Sequence, residues 1–164
     1  MIQCFNINVN TLFMKIEEAI QQKRPFRSAY QKAMVNIIYS HNWMTDRIRQ
    51  HLKPFGITLK QYNVLRILKG ADKPITTSTI RERLLDKMSD TSRMVERLYK
   101  KGLVVRTICP SDKRLVDVVL SQEGLKLLKK MEIFNQKIDN ILSGLSKEEA
   151  ELLSNLLDKI RGKE

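Results

Sequence analysis

The spacing of hydrophobic residues predicts a mainly helical chain interrupted by one short β-hairpin. Residues 1–24 have no firm period and stay unassigned, although their apolar spacing suits a short helix that ends before the first proline. From Phe26 to about Leu52 there is no Gly or Pro, and apolar residues recur every three or four positions. We expect one long helix here, closed by the proline and glycine that follow.

Two shorter helices are predicted next. Thr58 and Gln61 have the spacing of a capping box, in which the threonine hydroxyl accepts from a first-turn amide and the glutamine reaches back to the cap. The helix that they open should run to about Lys69. Another helix should begin near Thr76 or Thr77 and carry three side chains inward, namely Ile80, Leu84 and Leu85.

A fourth helix is expected between Ser89, as its N-cap, and Gly102, which suits the left-handed turn after a helix. At about 100° per residue, its two faces differ in character. The packed face holds Met94, Val95 and Leu98. The charged face holds Asp90, Arg93, Glu96, Arg97 and Lys100.

Two segments rich in Val, Ile and Leu, residues 103–108 and 115–120, flank the polar turn 110–114. They predict a two-stranded hairpin with a basic tip.

The end of the chain is expected to be helical again. An apolar stripe predicts a helix from Ser121 to Gly144, and Ser146 with Glu149 forms a second capping box that opens a last helix. The first stripe is Leu125, Leu128, Met131, Phe134, Ile138, Ile141 and Leu142. The stripe of the last helix is Leu152, Leu153, Leu156, Leu157 and Ile160.

The distribution of charge indicates the class of partner. The 164 residues carry a formal net charge of +12, with 22 basic and 9 acidic residues up to position 115, and 8 basic and 9 acidic residues beyond it. A basic body with a neutral, Leu-rich tail predicts one surface for a polyanion and another for a protein. Neither a run of 18 apolar residues nor a signal-peptide pattern occurs, so we expect a cytoplasmic protein without a membrane partner.

The order of three helices and a hairpin over residues 57–120 predicts a winged helix-turn-helix lobe. The fourth helix is the candidate recognition helix, because an α-helix fits the major groove and its first residues meet the base edges. The candidate DNA contacts are Ser89, Asp90, Thr91, Ser92, Arg93 and Arg97. Arg93 is favoured, since it can donate two hydrogen bonds to guanine. Asp90 would repel phosphate, yet it could stabilise the helix start or accept from a cytosine amine, and the whole charged face could also be a solvated surface.

The tip of the hairpin adds further candidates. Lys113 and Arg114 could reach the sugar-phosphate backbone or a narrow minor groove, with Asp112 holding the arginine in position. Asp112-Lys-Arg114, followed by Val116, Val118, Leu120, Ser121 and Gly124, resembles the signature of the MarR family. Residues 91–98 and 101–104 are similar to that family's recognition helix and its exit, and the likeness spans residues 26–161.

This resemblance implies a bacterial transcription regulator, expected to be a repressor, that binds a pseudo-palindromic operator in double-stranded DNA as a homodimer. It implies Arg114 in the minor groove, braced by Asp112, and Arg93 with Ser89 and Ser92 at the major groove. It also implies a small aromatic or phenolic effector between the dimerisation region and the DNA-binding lobe. The candidate effector contacts are His41, Trp43, Met44, Tyr62 and Arg66, although such side chains at helical spacing are more often ordinary core.

The apolar stripes agree with a dimer, because a Leu-rich helix face is removed from water only when another surface packs against it. We expect residues 25–164 to form one MarR-like domain, with the DNA-binding lobe at 57–120 and dimerisation helices at 26–52 and 121–161. The dimer contacts would include the stripe of the last helix. A helical hairpin within one chain is the alternative.

Other kinds of chemistry find no support in the sequence. Two His and two Cys lack close ligand spacing, so we expect no metal and no cofactor. Without a Gly-rich phosphate loop, a GxSxG elbow or an HExxH motif, no enzyme is expected. Some family members sense peroxide through an amino-terminal cysteine, and Cys4 or Cys109 could be reactive, but simple structural roles are favoured. The alternative function is a winged-helix module that binds protein or RNA with little affinity for duplex DNA.

Overall fold

The computed structural model describes residues 13–108 and 116–162, which form two compact units divided between Met44 and Thr45. In the first unit, α1 (Ile16–Ala19) is a single turn, and α2 (Ala29–Leu52) begins there and continues into the second unit. Glu17 Oε1 lies 2.6 Å from Lys32 Nζ, so an ion pair joins the two helices. The predicted long helix is confirmed, but it starts at Ala29, where the Ser28 hydroxyl accepts from the amide of Gln31 at 3.2 Å.

The second unit opens with the predicted helix stop and capping box. A 3₁₀ turn (Lys53–Phe55) ends α2, and Gly56 follows at φ +64°, a left-handed conformation that favours glycine. In α3 (Leu59–Lys69), Thr58 Oγ1 accepts from the Gln61 amide at 3.2 Å, and Gln61 Oε1 accepts from the Thr58 amide at 3.1 Å. The capping box predicted from the sequence is therefore confirmed.

The next two helices are α4 (Thr77–Arg83) and α5 (Thr91–Lys100), separated by a seven-residue turn. Ile80 and Leu84 are buried as predicted. The prediction that Leu85 also faces inward is wrong, because α4 ends at Arg83 and the extended backbone at Leu84 turns the next side chain outward.

Three antiparallel strands form one sheet in the order β1-β3-β2. The predicted hairpin is made by β2 (Val104–Ile108) and β3 (Val116–Leu120), with Val104 opposite Leu120 and Ile108 opposite Val116. The sequence analysis did not predict β1 (Ile75–Thr76), in which Ile75 pairs with Val118. Two residues are too few to show an alternation of polar and apolar positions.

The carboxyl-terminal part contains α6 (Gln122–Lys130), α7 (Glu132–Asp139), a 3₁₀ turn (Asn140–Leu142) and α8 (Lys147–Arg161). The prediction of one continuous helix up to Gly144 is wrong. The break falls at Met131, whose ψ of 1° departs from helical geometry and whose amide donates to the carbonyls of both Leu127 and Leu128. The second predicted capping box is confirmed, with Ser146 Oγ accepting from the Glu149 amide at 3.2 Å.

The core of the second unit joins α3, α4 and α5 to the sheet. Its fully buried side chains are Leu52, Val64, Leu65, Ile80, Val95, Leu98, Val104, Val118 and Met131. Each large aliphatic side chain removed from water in this way contributes about 1.5–3 kcal/mol. This core fixes α5 and the hairpin on a single support. Across the described ranges, no helix is long and apolar enough to cross a membrane.

Candidate nucleic-acid interface

The candidate recognition helix α5 divides cleanly into two faces. Met94, Val95 and Leu98 are buried against the core of the second unit, as the periodicity predicted. Arg93 and Arg97, on the other face, are exposed. The helix therefore offers a rigid cationic surface whose position is set by its packed side.

Asp90 is the N-cap of α5, and the prediction that Ser89 fills this position is wrong. Asp90 Oδ1 accepts from the amide of Arg93 at 3.0 Å, and Asp90 Oδ2 lies 3.1 Å from Arg93 Nε. A carboxylate is favoured at the positive end of a helix, and it satisfies a first-turn amide that would otherwise lack a partner. The same carboxylate contacts Nε of the Arg93 side chain, which is 81% exposed.

The other candidate DNA contacts at the start of α5 differ in their exposure. Ser92 is exposed, and Ser89 is half-buried. Thr91 is only 5% exposed, and its hydroxyl donates to the carbonyl of Ser89 at 3.4 Å. Thr91 therefore supports the start of α5 from inside and does not contribute to its exposed surface.

The turn before α5 is organised by Asp86. Its carboxylate accepts from Ser89 Oγ at 2.7 Å and from the Met88 amide at 3.1 Å, and it lies 2.7 Å from Lys60 Nζ of α3. The Lys60 contact, followed by the Ser89 hydroxyl, holds the pKa of Asp86 below its ordinary value. The carboxylate is thus ionised at neutral pH and keeps the turn attached to α3.

The hairpin is joined to α5 by Arg106 of β2. Its Nη1 lies 2.5 Å from Glu96 Oε2, and its guanidinium carbon lies 4.3 Å from the centre of the Tyr99 ring. The contact of Arg106 with α5 was not predicted, because a single basic residue in a short strand does not indicate which helix lies beside it. The alternation of side chains along a strand predicts only that Arg106 shares a face of β2 with Val104.

The two ends of the hairpin are held together at α6. Ser121 Oγ donates to the carbonyl of Gly102 at 2.6 Å and accepts from the Gly124 amide at 3.0 Å. Gly102 has φ +68°, as the predicted left-handed exit from α5 requires. A Cβ on Gly124 would collide with the carbonyl oxygen of Leu103, so this helix start approaches the hairpin as only glycine allows.

Several predicted residues lie outside the described part of the chain. These are Cys4, Cys109, Asp112, Lys113 and Arg114. Their predicted roles stay predictions.

The predicted effector contacts fall in both units. His41, Trp43 and Met44 belong to the first unit, whereas Tyr62 and Arg66 belong to the second. Arg66 Nη1 donates to the Tyr62 hydroxyl at 3.5 Å, so the structure brings these two together. The rings of His51, Phe55 and Tyr62 pack edge-on around Phe134, with centroids 5.7, 5.7 and 6.2 Å from it, and this aromatic cluster gives Tyr62 a packing role of its own.

Comparisons with known proteins agree with this architecture. The model of the MarR family matches residues 57–116. The chain is 26% identical over 134 residues to the HTH-type transcriptional regulator MhqR of Bacillus subtilis, covering 79% of this chain and 89% of that protein. It is 30% identical to a MarR transcription factor from Planctomyces limnophilus of known crystal structure, covering 81% of this chain and 98% of that one, with a TM-score of 0.64. The chain belongs to the MarR family.

Another MarR-family structure is a variant of MarR from E. coli in complex with operator DNA. It is 28% identical to this chain and covers 76% of it, and the chain covers 89% of that protein, with a TM-score of 0.70. The match of the family model runs from the residue before the α3 cap to the first residue of β3, and it includes all of α5. This MarR-family chain is therefore a DNA-binding transcription regulator with a winged helix-turn-helix fold, and both predictions are confirmed. The family is one of regulators rather than enzymes, and the described residues contain no group of three His, Cys, Asp or Glu side chains that could hold a metal ion.

Proposed function

We propose that the chain is a cytoplasmic repressor that binds a pseudo-palindromic operator as a homodimer, with α5 of each subunit in a major groove. The observation that carries this proposal is the construction of α5. Its buried face is fixed in the core, while Arg93 and Arg97 stand exposed beyond a capped amino terminus. Occupancy of a promoter is sufficient for repression and needs no catalytic chemistry.

Arg93 is the proposed base-specific contact. Asp90 contacts its Nε, and bidentate donation to O6 and N7 of guanine would use the two Nη groups. Ser89, Ser92 and Arg97 would address the phosphates and groove edges on either side, since most contacts of this kind position the protein rather than specify the sequence. From the sequence resemblance, Arg114 is proposed to enter the minor groove, braced by Asp112. Lys113 is proposed to reach the sugar-phosphate backbone or a narrow minor groove.

A homodimer is supported by the apolar face of α8. Leu152, Leu156 and Ile160 are 57, 50 and 68% exposed in the single chain, and Leu153 is also exposed, whereas Leu157 is half-buried. Four exposed aliphatic side chains on one helical face are typical of an interaction surface. Pairing such faces would let two recognition helices lie about 34–36 Å apart, one helical turn of DNA. We accordingly assign residues 26–52 and 121–161 to dimerisation and residues 57–120 to DNA binding, within one functional domain from residue 25 to 164.

A small aromatic or phenolic effector is proposed to release the DNA. The contact between Tyr62 and Arg66 supplies a hydroxyl and a cation at the surface of α3, beside the aromatic cluster around Phe134. These groups suit a flat ligand with an acidic or phenolic oxygen. His41, Trp43 and Met44 remain proposed contributors from α2.

The proposed function is tested by binding of the full chain to a duplex from the promoter region of its own gene, over a salt series. Tight, dimer-dependent binding that weakens steeply as salt rises is expected, because each neutralised phosphate releases counterions. Arg114→Ala should lower this affinity. Equal, weak and salt-insensitive binding to promoter and random duplexes would favour the module that binds protein or RNA.

A further inference from the structure

The turn between α4 and α5 exposes two large apolar side chains. Leu85 is 88% exposed and Met88 is 94% exposed, the highest value for a large hydrophobic residue among the described residues. Leu84, directly before them, is 5% exposed and belongs to the core. The backbone therefore directs one leucine inward and presents the next leucine and the methionine to the exterior.

The turn that carries these two exposed side chains is held by hydrogen bonds and an ion pair. The Asp86 carboxylate, between the two apolar residues, accepts from the Met88 amide at 3.1 Å and from Ser89 Oγ at 2.7 Å. The Ser89 amide in turn donates to the carbonyl of Asp86 at 3.3 Å, and Lys60 anchors the carboxylate to α3. A side chain presented by a fixed backbone loses less entropy on binding than one on a loose loop.

The position of the turn points to DNA as the occupant. Met88 precedes the Asp90 cap by two residues, so it lies at the end of α5 that approaches base edges when a recognition helix enters the major groove. Lys87 beside it is exposed, and the two carboxylates of the turn are each paired with a cation, Asp86 with Lys60 and Asp90 with Arg93. The apolar group that the major groove offers is the C5-methyl of thymine.

We propose that Leu85 and Met88 contact thymine methyl groups in each operator half-site, beside the base pair that Arg93 addresses. The inference rests on the proposed function and deepens it, since it assigns to the turn a share of the sequence preference. Arg93 selects guanine by hydrogen bonds, whereas the two apolar side chains select thymine by burial. The unbranched, polarisable side chain of Met88 adapts to the exact position of the methyl group.

The test begins with selection of duplexes by the full chain from a random library. In the selected duplex, each thymine is then replaced in turn by deoxyuridine, which removes the methyl group and keeps every hydrogen-bonding group. Equilibrium binding is measured for the wild type, Leu85→Ala, Met88→Ala and the matched control Met14→Ala, in which another exposed methionine, before α1, is shortened. Thermal unfolding of all four proteins checks that they are folded, which we expect because the substituted side chains are exposed.

For the wild type, deoxyuridine at the contacted position should weaken binding about fourfold for each methyl group lost, and about fifteenfold for a symmetric pair. At the thymine that its side chain contacts, Met88→Ala or Leu85→Ala should bind the thymine and deoxyuridine duplexes nearly equally, while Met14→Ala should keep the wild-type ratio. A wild type that is insensitive to every replacement, or a penalty that persists in both turn variants, would overturn the thymine contact while leaving operator binding intact. Such a result would make the pair a contact for another protein. If the wild type enriches no sequence at all, the proposed function fails, and this inference fails with it.

Discussion

The guanidinium of Arg106 in β2 is paired with the carboxylate of Glu96 in α5, with 2.5 Å between Nη1 and Oε2. The same guanidinium lies over the ring of Tyr99. These contacts connect α5 to the hairpin outside the apolar core. They add a polar link to the packing that holds both elements.

We expect that loss of the ion pair between Arg106 and Glu96 weakens operator binding, even when the substitution removes the negative charge of Glu96. Removing a negative charge from α5 would by itself favour DNA, so charge alone predicts tighter binding by Glu96→Ala. We expect instead that Glu96→Ala and Arg106→Ala both bind about fivefold more weakly, a loss of the size of one partly exposed ion pair. Fluorescence anisotropy with a labelled operator duplex measures this affinity. Tighter binding by Glu96→Ala would show that the pair has no positioning role.

Gly124 should tolerate no side chain. In Gly124→Ala the new methyl group would collide with the Leu103 carbonyl oxygen and lie 3.3 Å from Leu120 Cδ2, so α6 or the hairpin must shift. We expect the free energy of unfolding to fall by about 1–3 kcal/mol, as in other overpacked sites. Urea unfolding followed by circular dichroism measures the loss.

Gly70→Ala is the matched control, because its new Cβ would meet only the carbonyl oxygens of Arg66 and Ile67 at 3.7 and 3.9 Å, which is ordinary contact. Its stability should equal or exceed that of the wild type. Equal stability of both variants would contradict the close approach at Gly124.

Asp90 should matter for stability as well as for orientation of Arg93. Asp90→Ala removes the acceptor of the Arg93 amide and should lower the free energy of unfolding by about 1 kcal/mol, whereas Asp90→Ser keeps a capping oxygen and should lose much less. Chemical unfolding measures the loss in the free energy of unfolding for each variant. If the serine variant is as unstable as the alanine variant, capping does not explain the choice of aspartate.

The apolar face of α8 should decide the oligomeric state. In Leu156→Glu a carboxylate would be buried in the proposed dimer, and an uncompensated buried charge costs about 3–5 kcal/mol. The dimer dissociation constant should therefore rise by about 100-fold or more. Sedimentation equilibrium is the appropriate measurement.

Ser154→Glu, about 160° around the same helix by the helical repeat, introduces the same charge on the opposite face and should leave the dimer intact. If Leu156→Glu also stays dimeric at the concentrations where the wild type is dimeric, the Leu-rich face of α8 does not form the dimer.

Where the sequence carried a local signal, it predicted the structure well. Capping boxes at Thr58 and Ser146 and the glycine exits at Gly56 and Gly102 each depend on a few neighbouring residues, and all four were found. The errors arose where tertiary contacts decide. The helix break falls at Met131, which is buried in the core, and Ser89 donates its hydroxyl to Asp86 while Asp90 caps α5.

Some residues of the candidate site could be predicted from the sequence, and others could not. Arg93 and Arg97 follow from the helical period, because exposure on a helix can be counted from the sequence. The outward direction of Leu85, and the pairing of Arg106 with Glu96, depend on where α4 ends and on which strand lies beside α5. Neither relationship is present in any short stretch of sequence.

The role of α5 is tested most directly by the ratio of affinities for the selected operator and for a scrambled duplex, measured for the wild type and Arg93→Ala at several salt concentrations. We predict a large ratio for the wild type, and a loss of about 1–3 kcal/mol of operator affinity per contacted guanine in Arg93→Ala, with only slight weakening on the scrambled duplex. A wild type that binds both duplexes equally, or an Arg93→Ala variant that keeps the full ratio, would contradict α5 as the recognition helix.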